Sequence, residues 1–293
     1  MLHLFQVGAG SGGMAVLDLV ARDSRVTRVT LVEPDVYAPH NVYRHLFPPS
    51  AVGRLKAEIA SEWIRAIRPD IVFDALIADI TDPSKQAEFI HRAKECDFGI
   101  CAADNEAAKF AFDALMRAAR KPWTLGEVLS GGIGGWIHCF TPGEACYGCV
   151  AGYLQREVTE QPAGPPPDYS NPNGVQPETT IPANKASIAV IAGLHATVTL
   201  DLLANVGGRE PNDKRNDNSV ASDSSRLVPD SGFTSLLFSL QVVSGVFETA
   251  YRAHRLRIPR SPTCLVCGTS LPTPTGEQLD AAVDSALARL GVR

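Results

Sequence analysis

Gly8-x-Gly10-x-x-Gly13 follows a short apolar run, residues 3–8, and precedes Met14 to Ala21, whose apolar residues recur at helical spacing. Glycines between a strand and a helix permit a tight turn and let a phosphate approach the backbone. The helix start adds free N–H groups and a partial positive charge, and the loop Gly8, Gly10, Ser11, Gly12 and Gly13 is the expected cofactor cradle. Glu33 lies twenty positions beyond Gly13, at the end of the next β-branched run, where a carboxylate can accept hydrogen bonds from a ribose. The glycine pattern does not separate NAD from ATP, and taken alone it favours a nicotinamide or flavin enzyme. A second chemistry is carried by Cys146-Tyr-Gly-Cys149 and Cys264-Leu-Val-Cys267. Four thiolates in two such knuckles suit tetrahedral zinc, and a closed four-sulfur site is structural because it keeps no open position. Disulfides or redox dithiols are the alternatives. Cys96, Cys101 and Cys139 lie on or beside predicted strands and read as small core residues.

The elements that must position these residues alternate. Val26 to Val32 and Ile71 to Leu76 read as strands, as do Phe98 to Ala102 and the start at Trp123 to Leu125. Arg54 to Ile67, Pro83 to Lys94 and Ala107 to Ala119 read as helices between them. Strands alternating with helices imply an α/β, Rossmann-like, doubly wound and mostly parallel sheet, covered on both faces. After about residue 128 the character changes. Trp136 to Phe140 is a strand, and Ser235 to Val243 and Glu248 to Ile258 read as antiparallel strands extending the sheet. Residues 155–182 read as a crossing loop and Gly207 to Asp230 as a polar, disordered insertion. Glu277 to Leu290 has one apolar helical face. The division expected is a nucleotide-binding half, 1–128, and a zinc-containing half, 129–293, on one sheet.

Composition narrows the classes. The chain has 293 residues, 45% hydrophobic and 20% charged, with a net charge of −5, enough for one large core or two modest ones. Its basic residues are scattered, so no nucleic-acid partner is expected. Ala186 to Leu203 carries Ser187, His195, Thr197, Thr199 and Asp201, which marks a core helix, so no membrane span is expected. Seven cysteines without an export signal point to a reducing cytoplasm.

Glu33-Pro-Asp35, Asn41-Val-Tyr-Arg44-His45, Val52-Gly-Arg-Leu-Lys56 and Ala103-Asp104-Asn105 follow one another along the chain. In this order they resemble the ThiF/MoeB/HesA family, whose members are similar to the adenylation domain of ubiquitin-activating enzymes. The resemblance covers nearly the whole chain. It implies an ATP-dependent adenylyltransferase acting on the C-terminal glycine of a small ubiquitin-like or sulfur-carrier protein, with a possible downstream thiol enzyme. Arg44, Lys56 and Asp104 are the catalytic set it implies, Asp104 holding Mg²⁺ and the two cations facing the phosphates. Asn41 would donate to a phosphate oxygen, and Asp35 would fix Arg44 or the adenosine. The same resemblance puts the two zinc knuckles here and implies a homodimer, in which the Ala107–Ala119 helix could pack at the interface or equally inside one subunit. Neutralising charge between a carboxylate and the α-phosphate is the physical need such a set meets.

Departures from the family pattern shape the expectations. Many relatives carry a cysteine in the crossing loop, whereas residues 150–184 contain none, so release of the acyl-adenylate to an outside thiol or amine is expected. Relatives carry helices before the first strand with an arginine that reaches a partner's ATP. Here the chain starts at the strand, so that charge is expected to be lost or supplied by a partner protein. His45 stands where Gln is common, and Lys109 and Asp113 stand where Arg and Asn are, which keeps a positive charge but alters hydrogen bonding. Competing readings are activation of a different carboxylate such as a peptide end, activation of a tRNA base, an NAD-dependent oxidoreductase, and a non-catalytic scaffold binding a carrier or an active paralogue.

Overall fold

The computed structural model describes residues 1–155, 183–206 and 232–268. The expected crossing loop beyond residue 155, the polar insertion and the apolar segment Glu277 to Leu290 lie outside the described residues. Eight strands form one sheet in the order β3-β2-β1-β4-β5-β6-β7-β8. Strands β1 (Leu2–Val7), β2 (Val26–Val32), β3 (Val72–Leu76), β4 (Phe98–Cys101) and β5 (Trp123–Val128) run parallel. β6 (Gly134–Phe140), β7 (Ser235–Ser239) and β8 (Ala253–Leu256) continue the sheet antiparallel. Every residue of β1 is buried, as a central strand with both faces covered requires.

Helices cover both faces. α1 (Ser11–Val20), α2 (Lys56–Ile67) and α6 (Lys185–Val206) pack one core with Leu4, Leu31 and Ile137. α3 (Gln86–Glu95), α4 (Glu106–Ala119) and α5 (Tyr147–Tyr153) pack the other with Phe5, Leu125 and Phe140. α4 spends its apolar face inside the chain, where Phe112, Leu115 and Met116 are buried in that second core. Residues Lys185–Ala204 of α6 are long and apolar enough to cross a membrane by length and composition, with a mean hydropathy of 1.7. Ile191, Ala192, Ala196, Leu202 and Leu203 of α6 are instead buried against the sheet. His195 shows how tight that contact is. Its ring fills the space that a Cβ on Gly126 would need, 2.3 Å from Nδ1, and its Nε2 bonds Thr124 Oγ1 at 2.9 Å.

Several expected bounds shift for local reasons. The helix expected from Arg54 begins at Lys56, because Leu55 bridges to Val36 and the Lys56 N–H donates to Asp35 O at 2.9 Å. The helix expected from Pro83 opens as a 3-10 turn, Pro83–Lys85, with Asp82 accepting the Ser84 N–H, and α3 follows. The last two strands are shorter than expected. Ser239 turns its hydroxyl back onto Thr249 O at 2.7 Å, and a tight turn at Gly245 (φ +76°) sits inside a Val243–Phe247 bridge. Residues 240–252 therefore form a compact loop between β7 and β8.

Candidate active site and thiol cluster

The chain runs from β1 outward to β3, then crosses back to β4 on the other side of β1. The C-terminal ends of β1 and β4 thus flank the point where the winding reverses, the usual place for a ligand in an open α/β sheet. The glycine turn leaves β1 there and Asp104 leaves β4 there. The two segments touch. A Cβ on Gly8 (φ +92°) would lie 2.7 Å from Ala102 O, and one on Gly13 would lie 2.4 Å from Gly8 O. A Cβ on Gly12 would lie 3.9 Å from Ile188 Cγ2 of α6, while one on Gly10 would meet open space. The Met14 N–H closes the first helical bond onto Gly10 O at 2.9 Å, so Ser11, Gly12 and Gly13 hold the unpaired first-turn N–H positions of α1.

The acidic and cationic residues are distributed around that turn with different duties. Glu33 is buried, and its two carboxylate oxygens accept N–H bonds from Ala9 (2.5 Å) and Asp35 (3.0 Å). Burial pushes its pKa up, against the pull of Lys56 and those two N–H groups. Its carboxylate thus holds the backbone at Ala9 and at Asp35. Lys56, the first residue of α2 and itself buried, donates Nζ to Asp35 Oδ2 at 2.8 Å. Asp35, expected to fix Arg44 or the adenosine, is thus ion-paired with Lys56. Asn41 spends Oδ1 on the Ala38 N–H at 2.9 Å, so any bond to a phosphate has to come from Nδ2. Arg44 is half-buried in the turn that follows. Asp104 is exposed and is not the helix cap: Asn105 caps α4, its side chain accepting the Ala108 N–H at 2.8 Å.

Two further side chains bear on this place: His45, read from the sequence only as a departure from the family pattern, and Lys185, to which the sequence reading gave no role. His45 is buried and its Nε2 bonds Ala9 O at 2.9 Å. Its pKa falls to about 4, chiefly through burial, with Lys56, Arg44 and Lys185 adding to the fall through their charge. Lys185, the first residue of α6, is thus a third positive charge felt by His45, beside Lys56 and Arg44. It follows a segment without hydrophobic periodicity, so no spacing rule points to it.

The thiol cluster joins the start of α5 to the segment after β8. Sγ atoms of Cys146, Cys149, Cys264 and Cys267 lie within 4.8 Å of one another, with Cys146–Cys149 at 3.8 Å, Cys146–Cys264 at 3.6 Å and Cys149–Cys267 at 3.5 Å. A tetrahedron of zinc–sulfur bonds about 2.3 Å long has edges of about 3.8 Å. The residues fit the ion. Backbone N–H groups of Ser261 and Val266 point at Cys149 Sγ (3.3 Å) and Cys264 Sγ (3.4 Å), which suits thiolate charge. Gly148 has to be glycine: a Cβ would sit 2.6 Å from Val266 Cγ2 and 3.2 Å from Cys264 Sγ. All seven cysteines are free of disulfides, against the disulfide reading of the knuckles.

The sequence profile of the ThiF family matches residues 2–229. The chain belongs to the ThiF family. Among curated proteins it is similar to rat ubiquitin-like modifier-activating enzyme 5, 25% identical over 153 residues, which is 49% of this chain and 38% of that protein. It is also similar to tRNA threonylcarbamoyladenosine dehydratase of Haemophilus influenzae, 29% identical over 134 residues, 45% of this chain and 48% of that protein. The chain spans less than half the length of these relatives. Among solved structures, E. coli MccB superposes with a TM-score of 0.62 at 18% identity, covering 92% of this chain and 66% of MccB. MccB in complex with ATP gives a TM-score of 0.60 at 18% identity, over 91% of this chain and 67% of that one. At such identity the likeness shows the shared fold.

In this ThiF-family chain the departures at 109 and 113 are structural. Lys109, buried at the start of α4, donates to Glu106 (2.8 Å) and Glu127 (2.6 Å). Burial works against its charge, but Glu127 and Glu106 outweigh it and hold its pKa above the usual lysine value. Tyr147, between the first two cysteines of the cluster, donates its hydroxyl to Glu106 at 2.7 Å and its N–H to Asp113 at 3.0 Å. The helix that begins just after Asp104 is thus bolted to the thiol cluster at two points. Beside this array a cleft of about 360 Å³ opens at the end of β5, lined by Glu127, Val128, Leu129, Ser130, Trp136 and Leu154.

His45 makes the stability of the fold depend on pH. The unfolded chain binds a proton on this histidine near 6.5, the folded chain only near 4. Stability is therefore full above about pH 6.5 and declines as pH falls toward 4, because acid favours the state that takes the proton. Between pH 7 and pH 5 the loss attributable to this residue is about 2 kcal/mol. His195, lowered to about 3 by burial, acts in the same direction. In urea unfolding, His45→Gln should lose about 2 kcal/mol less than the parent over that interval. An unchanged pH dependence would show that His45 is not the buried neutral imidazole described.

Proposed function

We propose that this ThiF-family chain adenylates a carboxyl group with ATP, most naturally the C-terminal glycine of a small ubiquitin-like or sulfur-carrier protein. A carboxylate oxygen attacks the α-phosphorus, the bond from that phosphorus to the bridging β-phosphate oxygen breaks, and pyrophosphate leaves with the electron pair. One observation carries the reading: at the reversal point of the sheet the glycine turn is held by buried His45, Nε2 to Ala9 O at 2.9 Å, and Lys56, oriented by Asp35, acts with Arg44 and Lys185 through its charge on that imidazole. Two negatively charged reactants meet in this reaction, and preorganised positive charge is the principal means of lowering its barrier. A hydride-transfer enzyme has no comparable need for such a set.

Lys56 enters the site already oriented by Asp35, and Arg44 offers a planar fork to the phosphates. Magnesium would be held by Asp104, whose exposed carboxylate is not taken by helix capping, and would supply further neutralisation of the phosphate oxygens. The cleft at the end of β5, one strand away from β4, is where the tail of the carrier would lie. Relatives named as a ubiquitin-like modifier-activating enzyme and MccB bound to ATP support this reading, as do structures of MccB with the peptide MccA. No acyl transfer to Cys101 or Cys139 follows, since burial pushes both thiols up to about 12. The acyl-adenylate passes to an outside thiol or amine.

Carrier-dependent exchange of labelled pyrophosphate into ATP is the test. Exchange that appears only with a carrier ending in glycine supports the proposal. Tight NAD binding with no exchange for any carrier or peptide would overturn it.

A further inference from the structure

Gln6 is wholly buried in β1, on the face it shares with Leu4, among apolar side chains of the α1/α6 core. A buried amide is costly unless its polar atoms are bonded. Gln6 Nε2 donates to Gly8 O and to Gly13 O, each at 2.9 Å, while Oε1 has no partner among the described residues. An apolar residue would fill this position without that unpaired oxygen. The amide has a reason to be there only if its two donated bonds matter.

Their geometry shows what they do. A peptide plane carries its C=O and the following N–H on opposite sides, so fixing one end aims the other. The Gly8–Ala9 plane is held at both ends, its C=O by Gln6 and its N–H by Glu33. The Ala9–Gly10 plane is held at its C=O by His45, which turns the Gly10 N–H away from the protein core. Gln6 then reaches across to Gly13 O, tying the first turn of α1 back to the strand that precedes it. Glycine has no side chain to hold such a turn, so freedom at Gly8, Gly10 and Gly13 has to be removed by neighbours. We infer that Gln6 is a positioning residue for the nucleotide: it presets the backbone N–H groups of residues 10–13 as a phosphate cradle without touching the nucleotide itself. The inference rests on the adenylation reading, because it needs a phosphate ligand at the turn.

Gln6→Leu keeps the volume and removes the donors. Kinetics of pyrophosphate exchange and calorimetric titration with MgATP separate the outcomes. The expected result is a rise of about tenfold in KM and Kd for ATP, with kcat changed by less than about threefold and the midpoint of thermal unfolding nearly constant. Gln6→Glu keeps the shape but sets carboxylate oxygens against two carbonyls, and should bind ATP more weakly than Gln6→Leu at pH 7. It should recover part of that loss as pH falls and the carboxyl regains one donor. It also serves in place of Gln6→Leu should that variant not fold. ATP affinity equal to the parent's in either variant, with only the unfolding midpoint lowered, would reduce Gln6 to a packing residue and overturn the inference. Failure of the parent chain to bind ATP at all would instead strike the adenylation reading, and the two failures are distinguishable.

Discussion

Asp104→Ala lowers carrier-dependent pyrophosphate exchange by a factor of about 10²–10³ or more, and Lys56→Ala by a similar factor, while Cys101→Ala leaves exchange within a few-fold of the parent. The expectation for Asp104 follows from its place. It stands just beyond β4, three residues after the end of a strand that pairs with β1, and the Ala102–Ala103 segment before it packs on Gly8 and Gly13. A carboxylate there can hold a divalent ion against the phosphates, and nothing else on this loop is anionic before Glu106, whose carboxylate is spent on Lys109 and Tyr147. Lys56 is buried, so its charge is poorly screened by solvent, and its removal leaves Asp35 beside a developing negative charge. Cys101 supplies the contrast. It is a core residue whose thiol is pushed up to about 12 by burial, so Cys101→Ala costs only a small cavity and leaves the chemistry intact. Equal retention of exchange in Asp104→Ala and Cys101→Ala would remove the metal-holding role from Asp104. Loss in both would revive a covalent path through the core thiol.

Cys264→Ser should bring bound zinc from one per chain to well below one, and chelation of the parent protein should match its loss of stability. The four sulfurs come from two knuckles 118 positions apart, so the ion closes a long loop and joins the segment after β8 to the start of α5. A structural zinc contributes roughly 10–16 kcal/mol in small zinc-dependent folds, and the share that falls on global stability depends on how much of the chain loosens with the site. Here the loosening has a defined route. Tyr147 lies between two ligands and holds Glu106 and Asp113 of α4, so the unfolding midpoint should drop by several degrees, with α4 less protected against hydrogen exchange. Cys139→Ser serves as the control, being in a different hydrophobic cluster from the knuckles, and should keep one zinc per chain. Unchanged zinc content in Cys264→Ser would mean that the cluster does not hold the ion.

Much of this was legible in the residues. Strand–glycine turn–helix, the collinear series from Glu33 to Asp104, and the paired cysteines are local or ordered patterns, and their spacing is preserved whatever the packing. Strand and helix types in the parallel half follow from period and β-branching, since each element must bury the same residues wherever it sits. Helix starts and the last two strands were read less well. A bridge between Val36 and Leu55 and a hydroxyl from Ser239 decide them, and these are contacts across space.

By itself, the sequence determined which residues could serve a phosphate, a magnesium ion or a zinc ion, and the α/β alternation that carries them, because motif spacing and hydrophobic period are properties of the chain. Tertiary structure decided how the charges are shared. Asp35 serves Lys56, Glu33 and His45 hold the glycine turn, Lys185 arrives from the start of α6, and Lys109 ties α4 to Glu127 on β5. The physical reason is that a charge finds its partner by distance and burial, and both are set only when strands distant in sequence lie side by side.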